Sequence, residues 1–587
     1  MGNYIKGRDR EQLVLFPTSL EEKIAKDNEV RVIDAFVESL DMKKVGIKEG
    51  KNDAVGRRRY NPKDMLKIYL YGYRNRVRSS RKLMKLCENN IEMMWLVKQI
   101  EPDFRSISDF RKENAGSLKK VFVEFNIICK EIGILNIKEV SQDGTKIRAV
   151  NSKDKNYTLN KIDDRIERIE EKVEEYLKEL EEEDKKANEE KMIKIEELEK
   201  RKAKYEEYKK EMEEKGESQK SITDKEARLM KDNGAYNVCY NMQALVTTDN
   251  HMMANYEITN NPADYGSMKN IVEECEEELE EKIEANITDK GYRERKDMME
   301  CLEMGVKPEV TLEKEEETIE LETVYEENEV TEEEIKSRRK EDIKKVLRAG
   351  KIPEIYKDKI KSIKVEEKRV RGYKEEEELE ELGEEEKREL AYEEKIFIRD
   401  IEKEKVYCPE GRILRKKSVH GDRIRYCNKL ACKNCKRPCT RAEYKEVDFR
   451  EGQKIVIPNG NNKTAKKRVK REKVETKKEK RVKIEYKVDK DKVEKRKTIS
   501  EHNHGSMKRW DNAGYCLLKG KEKVTGEVAL YCCAYNIRRA INICTVEKLL
   551  EYFEEKKKEK EGKEFTKNVK NAIINIEKLI RMELWKI

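Results

Sequence analysis

Two sets of residues have the types and spacing for chemistry. Five of the 14 cysteines fall within 32 residues: Cys408, Cys427, Cys432, Cys435 and Cys439. The Cys432-x2-Cys435-x3-Cys439 spacing lets thiolates converge on one tetrahedral ion, and Cys408, in Tyr-Cys-Pro-Glu-Gly, closes the set with Cys427 spare. This points to a structural Zn2+; a redox or iron–sulfur role and unligated thiols are the alternatives. The other nine cysteines are scattered and read as reduced, buried small hydrophobes. The second set is acidic. Asp143 follows a short strand in Ser141-Gln142-Asp143-Gly144-Thr145, Asp289 ends another in Ile287-Thr288-Asp289, and Glu501 opens a helix. Taken singly, each reads as a surface acid or a cap, and Asp-Gly is a common hairpin dipeptide. Glu527, at the start of the next apolar helix, competes with Glu501 for a third acidic position.

These residues need elements to hold them. Residues 1–135 read as helical: Phe16 to Glu22 carries a helix-start signal, Val32, Ile33, Phe36, Val37 and Leu40 recur at helical spacing, and a second unit follows Pro62. Its tyrosines run into Arg74, Arg76, Arg78, Arg81 and Lys82, which suits phosphate contacts or a solvated face. From Leu159, intervals of three and four place Leu159, Ile162, Ile166, Ile169, Val173, Tyr176 and Leu180 on one seam. That is a coiled-coil pattern, and a helical hairpin or one long helix fits about 158–215. Residues 235–305 read as strand, strand, helix, strand, an α/β arrangement with acids at strand ends, where ligands collect. Leu530, Cys533, Ala534, Ile537 and Ala540 mark a final apolar helix.

Charge is distributed in blocks. The 587 residues hold 133 Lys and Arg against 125 Asp and Glu, so the net charge of +8 implies no partner by itself. Between Glu313 and Glu334 there are 12 acids and one base, which reads as a solvated helix or partly disordered insert. Between Lys463 and Lys497, 18 Lys and Arg stand against 7 acids, a cationic block next to Glu501 and suited to DNA phosphates. No stretch reaches the roughly 18 apolar residues of a membrane span. The N-terminus has neither a secretory signal nor a myristoylation pattern. A soluble intracellular protein is expected, and the family resemblance set out below further implies a cytoplasmic, nucleoid-associated bacterial one.

In its motifs and their order the chain resembles the DDE transposases of bacterial insertion sequences, specifically the 1182-type group. Asn28 to Asp34 and Tyr60 to Arg81 resemble that group's N-terminal domain. Asp143-Gly144-Thr145-Lys146 resembles its first catalytic strand, Thr223 to Arg228 its Thr-Asp-Pro-Glu-Ala-Arg segment, and Tyr240-Asn241-Met242-Gln243 its second strand. Asp289-Lys290-Gly291-Tyr292 resembles its second acidic motif, and Ala534-Tyr535-Asn536 its C-terminal helix. Related transposases carry Tyr, two residues, Arg, three residues, Glu, six residues, Lys. Glu501 and Lys508 fit the second half, whereas Lys497 stands at the Arg position and Glu494 at the Tyr position. Lys497 keeps a cation but lacks the bidentate fork, for which the adjacent Arg496 is a substitute.

The resemblance implies an α/β RNase H-like catalytic core with a helical N-terminal domain, a coiled-coil insertion and a mixed charged, zinc-binding insertion. The boundaries are 1–135 for the helical DNA-binding domain and 136–305 for the first part of the core, interrupted by the 158–215 insertion. The charged insertion spans 306–495, with the Cys cluster at 408–439 and the basic stretch at 463–497. Residues 496–587 complete the core and add a helical tail. It further implies that Asp143, Asp289 and Glu501 hold two Mg2+ ions, or Mn2+, for in-line displacement at phosphorus. Lys495, Arg496, Lys497, Lys508, Arg74 and Arg81 would contact DNA. The partners implied are double-stranded DNA, as terminal inverted repeats and target, and a second copy of the chain in a synaptic complex. The activity implied is hydrolysis at element ends followed by strand transfer. The alternatives are a nuclease of the same fold without strand transfer, and a zinc-stabilised DNA-binding protein with inert acids. His502 and His504 flank Glu501 and read as surface residues; Trp510 reads as a core residue or as a platform for an unpaired base.

Overall fold

The computed structural model describes residues 19–48, 59–182, 185–214, 217, 219–232, 234–313, 316–371, 383–393, 396–401, 403–420, 423–433, 435, 444–450, 453–456, 476–510 and 513–561. Helices dominate up to residue 131, as the apolar spacing predicts. Val30–Ser39 buries Val32, Ile33, Phe36 and Val37. Helix α1 (Pro62–Arg74) starts with proline in its first turn and an Asn61 side chain that accepts from Lys63 N–H. Helices α2 (Ser80–Asn89), α3 (Phe104–Glu113) and α4 (Ala115–Glu131) complete the domain.

The central layer is a mixed sheet. Strand β1 (Glu139–Arg148) pairs antiparallel with β2 (Ala235–Thr247), which pairs antiparallel with β3 (Met253–Thr259). On its other edge β1 pairs in parallel with β4 (Ala285–Thr288), and β4 in parallel with β5 (Lys307–Val310). The spatial order is therefore 3-2-1-4-5. A short strand, Arg228–Asp232, adds to the N-terminal half of β2. The two parallel links are crossovers through helices α7 (Met268–Leu279) and α8 (Arg295–Glu303), as parallel strands require. This is the RNase H-like α/β arrangement.

Between β1 and β2, helices α5 (Leu159–Glu182) and α6 (Lys185–Glu214) pack on one another within the chain. Ile162 and Met212 are fully buried, Ile166 and Tyr205 pack beside them, and Lys209 and Lys202 reach across to Asp163 and Glu170 at 2.6 and 2.7 Å.

The acidic insert is folded rather than solvated. Strand β6 (Thr318–Val324) and β7 (Ile360–Arg371) flank β8 (Thr476–Lys487) in a three-stranded antiparallel sheet whose apolar face joins the main core through Ile319, Leu321, Val482, Ile484 and Tyr486. The acidic and basic blocks are partners here: Lys483 meets Glu320 at 3.0 Å, Arg481 meets Glu322 at 4.0 Å, and Lys490 meets Glu317 at 3.1 Å. Arg481, Lys483 and Lys490, from the cationic stretch expected on DNA, thus stand against glutamates; residues 463–475 lie outside the described residues. A separate six-stranded antiparallel sheet, running from Phe397–Asp400 to Ile455–Val456, has its own small apolar clusters.

Helix α9 (Lys490–Gly505) returns to the core and packs across β1, β2 and β4, and the chain continues as a π-helical turn at Ser506–Trp510. Helix α10 (Lys521–Cys544) then runs against α4. Gly526 permits this approach, because a Cβ there would lie 2.3 Å from the Ala115 carbonyl oxygen. The Thr223–Arg228 segment caps the start of α10. Asp224 accepts from Gly520 N–H and from the Tyr240 hydroxyl, and Glu226 accepts from Lys521 N–H, placing two carboxylates at a helix N-terminus.

Candidate active site

Asp143 lies in the middle of β1, not in a turn: β1 stays paired with β2 from Val140 to Arg148. Sequence reasoning placed a turn there because Asp-Gly is a turn signal, but Gly144 has a different task. A Cβ on Gly144 would lie 2.3 Å from an Asp264 carboxylate oxygen, so the glycine lets Asp264 approach the strand beside Asp143. Asp264 was not among the predicted site residues. It is held by Lys146 at 3.3 Å and by the Asn241 and Gln243 amides, both at 2.7 Å. Beneath lies a chain of buried amides: Asn286 donates to Gln142, and Gln142 to Gln243.

Asp289 follows the last residue of β4. The parallel register pairs Glu139 with Ala285, Val140 with Asn286 and Ser141 with Ile287, so two further residues along each strand bring Asp143 level with Asp289. The Asp289 side chain accepts from Gly291 N–H at 2.8 Å, which holds one oxygen in a short helical turn. Burial pushes the Asp143 carboxyl up to about 6; the Asp289 and Asp264 charges add to this, while Arg496 and the Gly144 N–H oppose it.

The third acid comes from α9. Glu501 belongs to the last turn of this helix, not its first as predicted, and its side chain lies outside the described residues. The same helix aims Arg496 inward, 3.7 Å from Asp143 Oδ2, while Lys495 and Lys497 stay exposed. His504, expected on the surface, is inside: its Nε2 is 3.7 Å from Asp143 Oδ2, and its side chain is only 14% exposed. Burial, with Lys508 next, depresses the imidazole to about 4, against the pull of Asp264 and the Asp143 backbone. Its signal in the sequence was its spacing of eight from Arg496, two helical turns along one face. Lys508 lies 3.5 Å from Asp232. The Trp510 side chain lies outside the described residues.

Glu527 is excluded from this centre by its partners: it accepts from Arg78 at 2.6 Å and from Leu517 N–H and Leu518 N–H. In the N-terminal domain Arg74 turns to Glu29. Arg81 and Arg105 both stand over the Phe104 ring, with their guanidinium carbons 5.1 and 5.8 Å from its centre and no ion-pair partner among the described residues. They line a cleft of about 450 Å³ with Ser79, Ser80 and Asp109.

The described residues do not assemble the expected thiolate centre. Cys408 packs in an apolar cluster with Val406, Leu414 and Tyr426, and its Sγ accepts from Arg412 N–H at 3.3 Å. Cys432 Sγ accepts from Lys445 N–H at 3.5 Å, Cys427 and Cys435 are half-buried, and Cys439 lies outside the described residues. Among the described residues no three Cys, His, Asp or Glu side chains converge to hold a metal. For Zn2+ this leaves no described set. For a hard cation the position differs, since the level pair Asp143 and Asp289 offers oxygens of the right class and Mg2+ binds through one or two carboxylates plus phosphates and water. Asp143 and Asp289 thus supply two carboxylates of that class, and the third acid, Glu501, lies on α9 with its side chain outside the described residues.

No helix among the described residues is long and apolar enough to cross a membrane. No curated protein and no solved structure matches the chain. Three family models do, in order: a transposase domain over residues 18–113, then transposase DDE domains over 211–367 and 407–541. The first covers the helical domain, the second carries Asp289 and the third carries Glu501. With the 3-2-1-4-5 sheet beneath them, these matches make the chain a member of the DDE transposases, in the arrangement of the 1182-type group.

Proposed function

We propose that the protein hydrolyses phosphodiester bonds at the ends of an insertion sequence and joins the freed 3′-ends to target DNA, with Asp143, Asp289 and Glu501 as its metal-binding acids. The observation that carries this reading is the register that levels Asp143 with Asp289 beneath the helix bearing Glu501. A divalent cation bound there would activate the attacking oxygen and stabilise the leaving one. The chain's own residues orient the reaction. The Gly291 N–H fixes one Asp289 oxygen, Asp264 and the amide chain brace β1 against β2, and Arg496 places a cation beside Asp143. Lys495, Lys497 and Lys508 face DNA near the scissile phosphate, and Arg81 and Arg105 hold the backbone of flanking DNA. Cleavage of paired ends requires two copies of the chain on DNA.

The test is Asp143→Asn with duplexes carrying the element ends. Mg2+-dependent cleavage should be lost, and cleavage that persists would remove Asp143 from the reaction. Joined product from the unaltered protein separates a transposase from a nuclease of the same fold.

A further inference from the structure

Helix α9 carries three inward side chains that the protein leaves unsatisfied. Arg496 Nε, both amide atoms of Asn503 and both ring nitrogens of His504 are buried without a well-formed hydrogen bond from the protein, although the Asp143 backbone acts on the imidazole. Asn503 is fully buried. Native interiors rarely tolerate so many unpaired polar atoms, and such clusters mark sites completed by something else. Here the geometry identifies the class of partner at one of them.

His504 Nε2 and Asp143 Oδ2 face each other at 3.7 Å. That is too long for a hydrogen bond. It lies within the spread of two donors sharing one cation. With bonds of about 2.1 Å, such donors are about 3 Å apart at right angles and about 4.2 Å apart when opposed. At 3.7 Å the two donors are about 0.7 Å wider than adjacent octahedral positions require, so a small movement of either side chain lets Asp143 share an ion with the imidazole.

We propose that His504 is a nitrogen ligand to the divalent cation held at Asp143, giving a mixed nitrogen and oxygen site that favours Mn2+ over Mg2+. Imidazole suits the transition metals, whereas Mg2+ prefers oxygen donors and keeps its waters. The inference rests on the reading of Asp143 as a metal-binding carboxylate, and it adds a ligand to the three acids without replacing any.

The experiment uses the full chain with Mn2+ alone and reads pulsed electron paramagnetic resonance for 14N modulation, alongside Mn2+ affinity. Protein-bound Mn2+ should show imidazole nitrogen coupling. His504→Gln should abolish the coupling and weaken Mn2+ at least about tenfold, with a smaller change for Mg2+. His502→Gln should leave the coupling intact. Mn2+ that binds and is lost in Asp143→Asn, yet shows no nitrogen coupling in the unaltered protein, overturns the inference and leaves the carboxylate site standing. Coupling that survives His504→Gln, or vanishes in His502→Gln, overturns it as well. If Mn2+ at millimolar concentration does not bind, or binds equally to Asp143→Asn, the carboxylate site itself falls. The spectrum of the unaltered protein decides the matter even if the His504 variant fails to fold.

Discussion

The Arg78 guanidinium, in the turn between α1 and α2, lies 2.6 Å from the Glu527 carboxylate on α10, 449 residues further along the chain. Both side chains are buried, at 6% and 4% exposure. Arg78 also donates to the Tyr515 carbonyl, and Glu527 collects the N–H groups of Leu517 and Leu518. This pair fastens the helical N-terminal domain to the last helix of the core. It also commits a glutamate in a promising sequence position to an arginine and two backbone N–H groups.

Removing one partner strands the other charge in the interior. Arg78→Met and Glu527→Gln should each cost about 3–5 kcal/mol in urea unfolding. Mn2+ affinity of the folded Glu527→Gln protein should match that of the unaltered chain. A tenfold loss of metal with unchanged stability would return Glu527 to the candidate ligands.

Asp143 gives a pH signature to stability. Its folded carboxyl is raised to about 6, above the roughly 3.9 of an unfolded chain. Below pH ~4 both states hold the proton, and as pH rises through 6 the folded protein loses a proton that it binds more tightly, so stability falls. Asp143→Asn removes this cost. With metal chelated, the variant should be more stable by roughly 1–3 kcal/mol at pH 7.5, and the gap should close near pH 4. Melting curves at the two pH values measure it; a gap that grows at low pH would contradict the assignment.

The same carboxyl sets the pH dependence of metal binding. Proton and cation compete for Asp143, so Mn2+ affinity should be flat above about pH 7 and fall by up to about tenfold per unit below pH 6. Calorimetric titrations between pH 5 and 8 would show the break. A break near pH 4 would point to a carboxylate without these neighbours.

Asn536 acts as a strand partner. Its amide donates to the Met253 carbonyl at 2.8 Å and accepts from Met253 N–H at 2.9 Å, pairing the outer edge of β3 as another strand would. Asn126 donates to the carbonyls of Met253 and Ala254 and accepts from Asn536. Asn536→Ala leaves these buried groups unpaired and should cost about 2–4 kcal/mol. Hydrogen exchange should show the Met253 amide losing protection more than the amides of β1.

The N-terminal cleft can be tested through salt. Arg81→Ala and Arg105→Ala should each weaken DNA binding similarly on any sequence, and should lower the slope of log affinity against log salt by about one. Arg74→Ala removes a side chain already committed to Glu29 and should change the slope by less. Equal slopes for all three variants would take DNA away from this cleft.

Local pattern made much of the architecture legible. The helical spacing of Val32 to Leu40, the alternation around Tyr240 and Met242, and the seam from Leu159 all correspond to elements of the fold. Each depends on neighbours within a few residues, which is what periodicity records. The order of the acidic motifs pointed to Asp143 and Asp289, the acids proposed to bind metal.

Partnerships across long separations were not legible. Nothing local in Glu313–Glu334 says that its strand will lie against Thr476–Lys487, so the acidic and basic blocks read as two solvated segments until the sheet paired them. Cys408 had the spacing of a zinc ligand, but packing against Val406 and Tyr426 governs its place. The sequence by itself determined which acids are present and in what order. Only the tertiary structure decided that the β1–β4 register sets Asp143 level with Asp289, and that α9 turns Arg496 and His504 toward them. Both depend on where separate segments dock, and that is fixed by the whole buried surface rather than by any stretch of chain.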